Sequence, residues 1–157
     1  MHKHIIVALS ILLAIMLMLI PMPSHMLWLR PMWVVLTLIY WSLAISYRNG
    51  LLTAWCTGIL LDLLTGTLLG EHAFALTAVS YCVSKLHLRV RMFPLMQQAV
   101  SVCLFVLFYQ VIIYCIQGFQ GEQPNYYQYW LPSLTSMLVW PLFFLLMQRY
   151  RKRLKVV

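Results

Sequence analysis

The chain has 157 residues, 63% of them hydrophobic and only 9% charged, with a mean hydropathy of +0.85. Soluble domains carry about 25% charged residues, so this composition excludes an ordinary water-soluble globule and points to one small membrane bundle with no room for a separate soluble domain. The net charge of +8 gathers at a few chain positions, which fits topology signals and contact with anionic lipid and argues against nucleic acid as a partner.

In chain order, His2, Lys3 and His4 precede the apolar run Ile5–Ile20, and Pro21-Met-Pro23 follows without an A-x-A cleavage pattern. This reads as an uncleaved first transmembrane helix over residues 5–21. Arg30-Pro31 opens a second span, 31–47, with proline in the first turn, where its missing N–H costs nothing. Trp28 and Trp33 fit an aromatic belt at that boundary. Arg48-Asn49-Gly50 forms a tight turn into a third span, 51–69, whose length of about 28 Å just crosses a hydrocarbon core. Gly70-Glu71 turns the chain into a fourth span, 73–86. Cationic and apolar residues alternate from Lys85 to Met92, which reads as an interfacial connector before Pro94. The fifth span is 98–118, followed by the polar, aromatic-rich loop Gln117–Trp130. The sixth is 131–147, and Pro141 inside it predicts a kink. The chain ends in a basic tail carrying Arg149, Arg151, Lys152, Arg153 and Lys155.

Six spans put Lys3, Arg48, Lys85, Arg89, Arg91 and the five tail cations on one side, and Arg30 alone on the other with Glu71 and Glu122. By the positive-inside rule both termini are cytoplasmic. The expected architecture is all-α and polytopic, with 1–157 as a single integral membrane domain.

Asp62 is the one acidic residue within a long apolar run, and a carboxylate there needs a reason. On a third helix reaching Leu69 it stands near mid-membrane. It is read as a structural pin or a cavity- or partner-facing group more readily than as a proton relay, because no second acid and no Lys or Arg lies deep in a span. Thr65 is its local hydrogen-bond candidate, and Tyr40, Ser80, Tyr81 and Gln110 are candidates from other spans. Gly58, Gly66 and Gly70 recur with Asp62 at four-residue spacing, a row of small residues along which helices of the same bundle, or a partner, pack closely. Gly66→Leu is therefore expected to abolish function while leaving insertion possible. Glu71-His72 reads as a solvated turn. Cys56, Cys82, Cys103 and Cys115 form no C-x-x-C pair and read as small buried hydrophobes. No catalytic constellation, metal site or cofactor motif is present in the sequence. The basic tail sets topology and offers contact to anionic lipid or a cytoplasmic partner.

The run Arg30-Pro31-Met-Trp33-Val-Val-Leu-Thr-Leu-Ile-Tyr40-Trp41 and the run Gly58-Ile-Leu-Leu-Asp62-Leu-Leu-Thr-Gly66-Thr-Leu-Leu-Gly70, with Gln97-Gln98-Ala and Trp140-Pro141, resemble the rod shape-determining MreD family of proteobacteria. The resemblance extends from about Pro21 to Arg149, and the family pattern maps onto Arg30, Pro31, Tyr40, Gly58, Asp62, Gly66 and Gly70. It implies a non-enzymatic protein of the bacterial inner membrane that binds MreC through MreC's transmembrane helix. It also implies service in the elongation machinery with MreB, RodZ, RodA and a penicillin-binding transpeptidase, supporting rod shape and lateral peptidoglycan synthesis. The fold implied is that of the S-components of energy-coupling-factor transporters. That likeness leaves open a small-molecule or lipid-binding protein whose pocket opens near Asp62.

Overall fold

The computed structural model describes residues 2–20, 29–44, 50–121 and 129–153. Within them lie six helices: α1 (His2–Leu19), α2 (Trp33–Ala44), α3 (Gly50–Thr65), α4 (Glu71–Met92), α5 (Leu95–Gln120) and α6 (Leu131–Arg153). α5, at 26 residues, and the Leu131–Lys152 part of α6 are long and apolar enough to cross a membrane, whereas Ile5–Leu19, α2 and α3 are shorter apolar helices.

α2 is apolar on every side, and such a helix has no solvent face to offer. It accordingly forms the centre: residues 34–41 are buried without interruption. α1, α4, α5 and α6 pack around α2, while α3 packs on α4, α4 on α5 and α5 on α6. Short connections make successive helices antiparallel. One end of the bundle thus collects Lys85, Arg89, Arg91, Arg149, Arg151 and Lys152, and is called the basic end; Arg30, Asp62 and Glu71 stand at the opposite, acidic end. The bundle's outside remains apolar, with Leu52 and Leu63 of α3, Leu104 of α5 and Leu138 of α6 all exposed.

Several boundaries differ from the sequence reading. α2 begins at Trp33, after a turn in which the Trp33 amide donates to the Pro31 carbonyl (3.0 Å). α3 ends at Thr65, four residues before the expected limit, because Gly66 takes a left-handed φ of 69°. α4 does not stop near Leu86. The alternating stretch Lys85–Met92 is helical, since nothing before Pro94 breaks it and cations in a last turn favour a helix C-terminus. Pro94 ends it by holding Phe93 extended (φ −72°, ψ 146°). Gln98 then ties α5 back to α4, its Nε2 donating to the Val90 carbonyl (3.1 Å). α6 runs through Pro141 as one helix and extends to Arg153. Cys56 and Cys115 are exposed rather than buried, and Cys82 and Cys103 are half-buried. Arg48, Asn49, Trp28, Glu122 and Lys155 lie outside the described residues.

Candidate functional site

Gly58 sets the geometry of the α3–α4 pair. It sits one helical turn before Asp62 and meets the first turn of α4. A Cβ there would overlap the Ala73 Cα and lie 2.5 Å from the Ala73 amide nitrogen and 2.9 Å from the His72 carbonyl carbon. Only glycine lets the two backbones come this close. The close approach brings the N-terminus of α4 within reach of Asp62, in the last turn of α3.

The N-terminus of a helix leaves unpaired N–H groups and a partial positive charge, which a Ser, Thr, Asp or Asn at the cap position normally answers. Here the cap residue is Gly70, with φ 103° and no side chain. Asp62 supplies the missing carboxylate from the neighbouring helix. Its Oδ2 accepts from the Gly70 amide (2.8 Å), and its Oδ1 accepts from the His72 amide (2.9 Å) and from His72 Nδ1 (2.8 Å). Thr67 Oγ1 donates to Oδ1 at a longer 3.3 Å. Asp62 is 1% exposed, so donors from the chain take the place of water around both oxygens. With the carboxylate accepting, His72 Nδ1 carries the hydrogen of their bond. The Asp62 carbonyl also accepts from the Gly66 amide (3.0 Å), which closes the end of α3.

The clasp continues into the rest of this end. Glu71 is 3% exposed and its Oε1 accepts from Gln117 Nε2 (3.0 Å), joining the start of α4 to the last turns of α5. The His72 ring lies against Tyr109 of α5 at 6.3 Å. Gln110 Nε2 donates to the Tyr129 carbonyl (2.7 Å), and Tyr129 Oη donates back to the Gln110 carbonyl (3.1 Å), joining α5 to the entrance of α6. Burial, and secondarily the Glu71 carboxylate, push the Tyr129 phenol well above its ordinary range, so it stays a neutral donor. Arg30 Nη2 donates to the Leu17 carbonyl (2.5 Å) in the last turn of α1, a cation at a helix C-terminus. The Met32 amide donates to Ser136 Oγ (3.1 Å) and ties the start of α2 to α6.

The residues singled out in the sequence are thus only partly brought together. Gly58, Asp62 and Gly70 converge on the α3–α4 junction. Gly66 leaves the expected row: it lies beyond the helix, and a Cβ there would meet nothing within 4 Å. Arg30 and Pro31 belong to the α1–α2 connection at the same end. Tyr40 packs in the core of α2, edge-on to Trp41 (5.6 Å) and Phe144 (5.6 Å). Arg149 and Lys152 are exposed at the basic end, and Arg151 Nη1 donates to the Ala44 carbonyl at the end of α2 (3.3 Å). Arg153 closes α6.

Three expectations fail here. Asp62 is not at the middle of a long third helix, because that helix ends one turn later. Glu71-His72 is not a solvated turn: His72 is 8% exposed and is the main side-chain partner of Asp62. The candidates Thr65, Tyr40, Ser80, Tyr81 and Gln110 are not the partners; Thr65 bonds the Leu61 carbonyl instead (2.8 Å). A sequence signal for the helix ends, though not for the partner, existed. Thr65-Gly66 is a helix stop, and Glu71 after Gly70 is an acidic first turn, so the pair frames a turn beside Asp62.

Comparison with known proteins bears on this arrangement. A family model described as rod shape-determining protein MreD matches residues 2–150. The rod shape-determining protein MreD of Haemophilus influenzae (strain ATCC 51907 / DSM 11121 / KW20 / Rd) is 33% identical over 144 residues, covering 92% of this chain and 89% of the relative. No solved structure matches the chain.

Proposed function

The chain belongs to the MreD family of rod shape-determining membrane proteins, and from that premise we propose that it is a non-enzymatic scaffold of the cell-elongation machinery. In this reading it sits in the bacterial inner membrane with six spans and both termini in the cytoplasm, the basic end facing inward. Its fold is then of the S-component type, used for assembly rather than transport. Its work is to bind the single transmembrane helix of MreC and so help hold MreB, RodZ, RodA and a penicillin-binding transpeptidase together for lateral peptidoglycan synthesis.

The observation that carries this reading is the use of Asp62. The one acid in an apolar run is spent on capping α4, with both oxygens engaged by the chain itself. A carboxylate kept for a ligand or for proton transfer would present an unoccupied oxygen to a cavity. The outward apolar faces of α3, α5 and α6 supply surface for a partner helix, whereas the Gly58 surface is already filled by α4.

The test is in-cell photocrosslinking from Leu52 and Leu63 on α3, Leu104 on α5 and Leu138 on α6, with MreC present. At least one of these faces is expected to crosslink to MreC. If none does, the scaffold reading loses its central contact.

A further inference from the structure

The outward face of α4 carries a second feature, away from the clasp. α4 packs on α2, α3 and α5, with Leu76, Val79, Val83 and Val90 buried. At 3.6 residues per turn, Phe74, Tyr81, Lys85, Leu88 and Met92 fall within about 30° of the direction opposite to those four. All five are exposed, so they form one stripe on the bundle's outer wall. Arg89 stands one turn after Lys85, about 40° round from it, and is exposed too.

Lys85 Nζ lies over the Tyr81 ring, 5.6 Å from its centre. Side chains lean toward the N-terminus of their helix, so this ammonium points along the wall, away from the basic end. A cation facing hydrocarbon is costly unless an anion answers it. The chain has three acids. Asp62 and Glu71 are engaged at the acidic end, and Glu122 is the next residue after Gly121, which caps α5 at that same end. The anion for Lys85 and Arg89 must therefore come from outside the chain.

We propose that this face binds one anionic phospholipid, its headgroup phosphate held by Lys85 and Arg89 and an acyl chain lying over Tyr81 towards Phe74. Charge complementarity selects the lipid class. The stripe selects a lipid over a free phosphate: Lys85 to Phe74 spans about 16 Å, close to half of a hydrocarbon core, which is one leaflet. Its large side chains select a flexible acyl chain over a partner helix, which packs best on small residues. The site does not rest on the scaffold reading and holds whatever the partner proteins are.

The test uses the full chain in nanodiscs of equimolar phosphatidylglycerol and phosphatidylcholine, with retained lipid counted by native mass spectrometry. The wild-type chain should retain phosphatidylglycerol preferentially. Lys85→Gln should cut that preference about fivefold, and Arg89→Gln likewise, as follows from the attraction of each basic residue to an anionic surface. Both positions are exposed and glutamine suits a helix, so the variants fold. Arg91→Gln removes the same charge from the same helix end, but it lies about 120° round from Lys85 and should leave the preference unchanged. Millimolar inorganic phosphate should not displace the lipid. Equal retention of both lipids by the wild-type chain, or an unchanged preference in Lys85→Gln and Arg89→Gln, overturns the proposal. So does an equal loss in Arg91→Gln, which would mark a diffuse surface attraction, or displacement by phosphate, which would mark a site without a chain.

Discussion

At the scale of single residues, Asp62 explains why an acid survives in an apolar run. It accepts from the Gly70 amide, from the buried His72 amide and from the His72 ring, and leaving a buried donor without a partner costs about 1–3 kcal/mol. Asp62→Asn keeps the shape but aims an amide N–H at a backbone N–H, so it should destabilise the chain by about 1–3 kcal/mol. Thermal unfolding in detergent, followed by tryptophan fluorescence, measures this. A double-mutant cycle with His72→Ala should return a coupling of about 0.5–3 kcal/mol, since the two side chains are in contact. A wild-type melting curve for Asp62→Asn would remove the clasp from the stability argument. The identity of this partner could not be read from the chain. A hydrogen bond between positions 62 and 72 depends on how two helices cross, and sequence periodicity reports only which face of each helix is apolar.

At the scale of elements, the glycine series separates into different physical roles. Gly58 serves close packing, Gly66 ends α3 in a left-handed conformation, and Gly70 starts α4 in another. The four-residue spacing suits a continuous helix, but it is coincidental once the helix stops at Thr65. The substitutions should therefore diverge. Gly58→Ala forces backbone apart and should cost at least the 1–3 kcal/mol, or about that, typical of overpacking, with loss of rod-shape complementation in cells. Gly66→Ala meets open space and should cost only the left-handed penalty of about 1–2 kcal/mol, retaining function, and even Gly66→Leu should insert and function. Comparing complementation and melting temperature across these variants checks the assignment. Equal damage at both positions would restore the single packing row. The end of α4 was equally hard to place, because alternating charge resembles a connector, whereas the intact helix hydrogen-bond ladder up to Phe93 needs only the absence of a breaker.

At the scale of the whole molecule, the two ends of the bundle differ in kind. The acidic end is tied together by side chains that bond backbone groups of other elements, through Arg30, Asp62, Gln110 and Ser136. Among the described residues the basic end carries exposed cations and fewer such ties, Arg151 to Ala44 and Gln98 to Val90 among them. That asymmetry suits a chain whose basic end meets the cytoplasm and anionic headgroups. A green fluorescent protein fused after Val157 should fluoresce, and alkaline phosphatase fused after Gly121 should be active. The reverse pattern would invert the proposed orientation.

The sequence by itself determined the membrane class, the helical content, the family and the segregation of charge to two ends. Each follows from composition, apolar run length or local motif, which do not depend on how distant parts meet. Only the tertiary structure decided what Asp62 does, that Gly58 alone among the row is sterically required, that Glu71 and His72 are buried, and that Lys85 lies over Tyr81 on the outward face of α4. Those facts come from helix crossings and from helix ends that the apolar pattern does not mark, because hydrocarbon on the outside and packing on the inside select the same residue types.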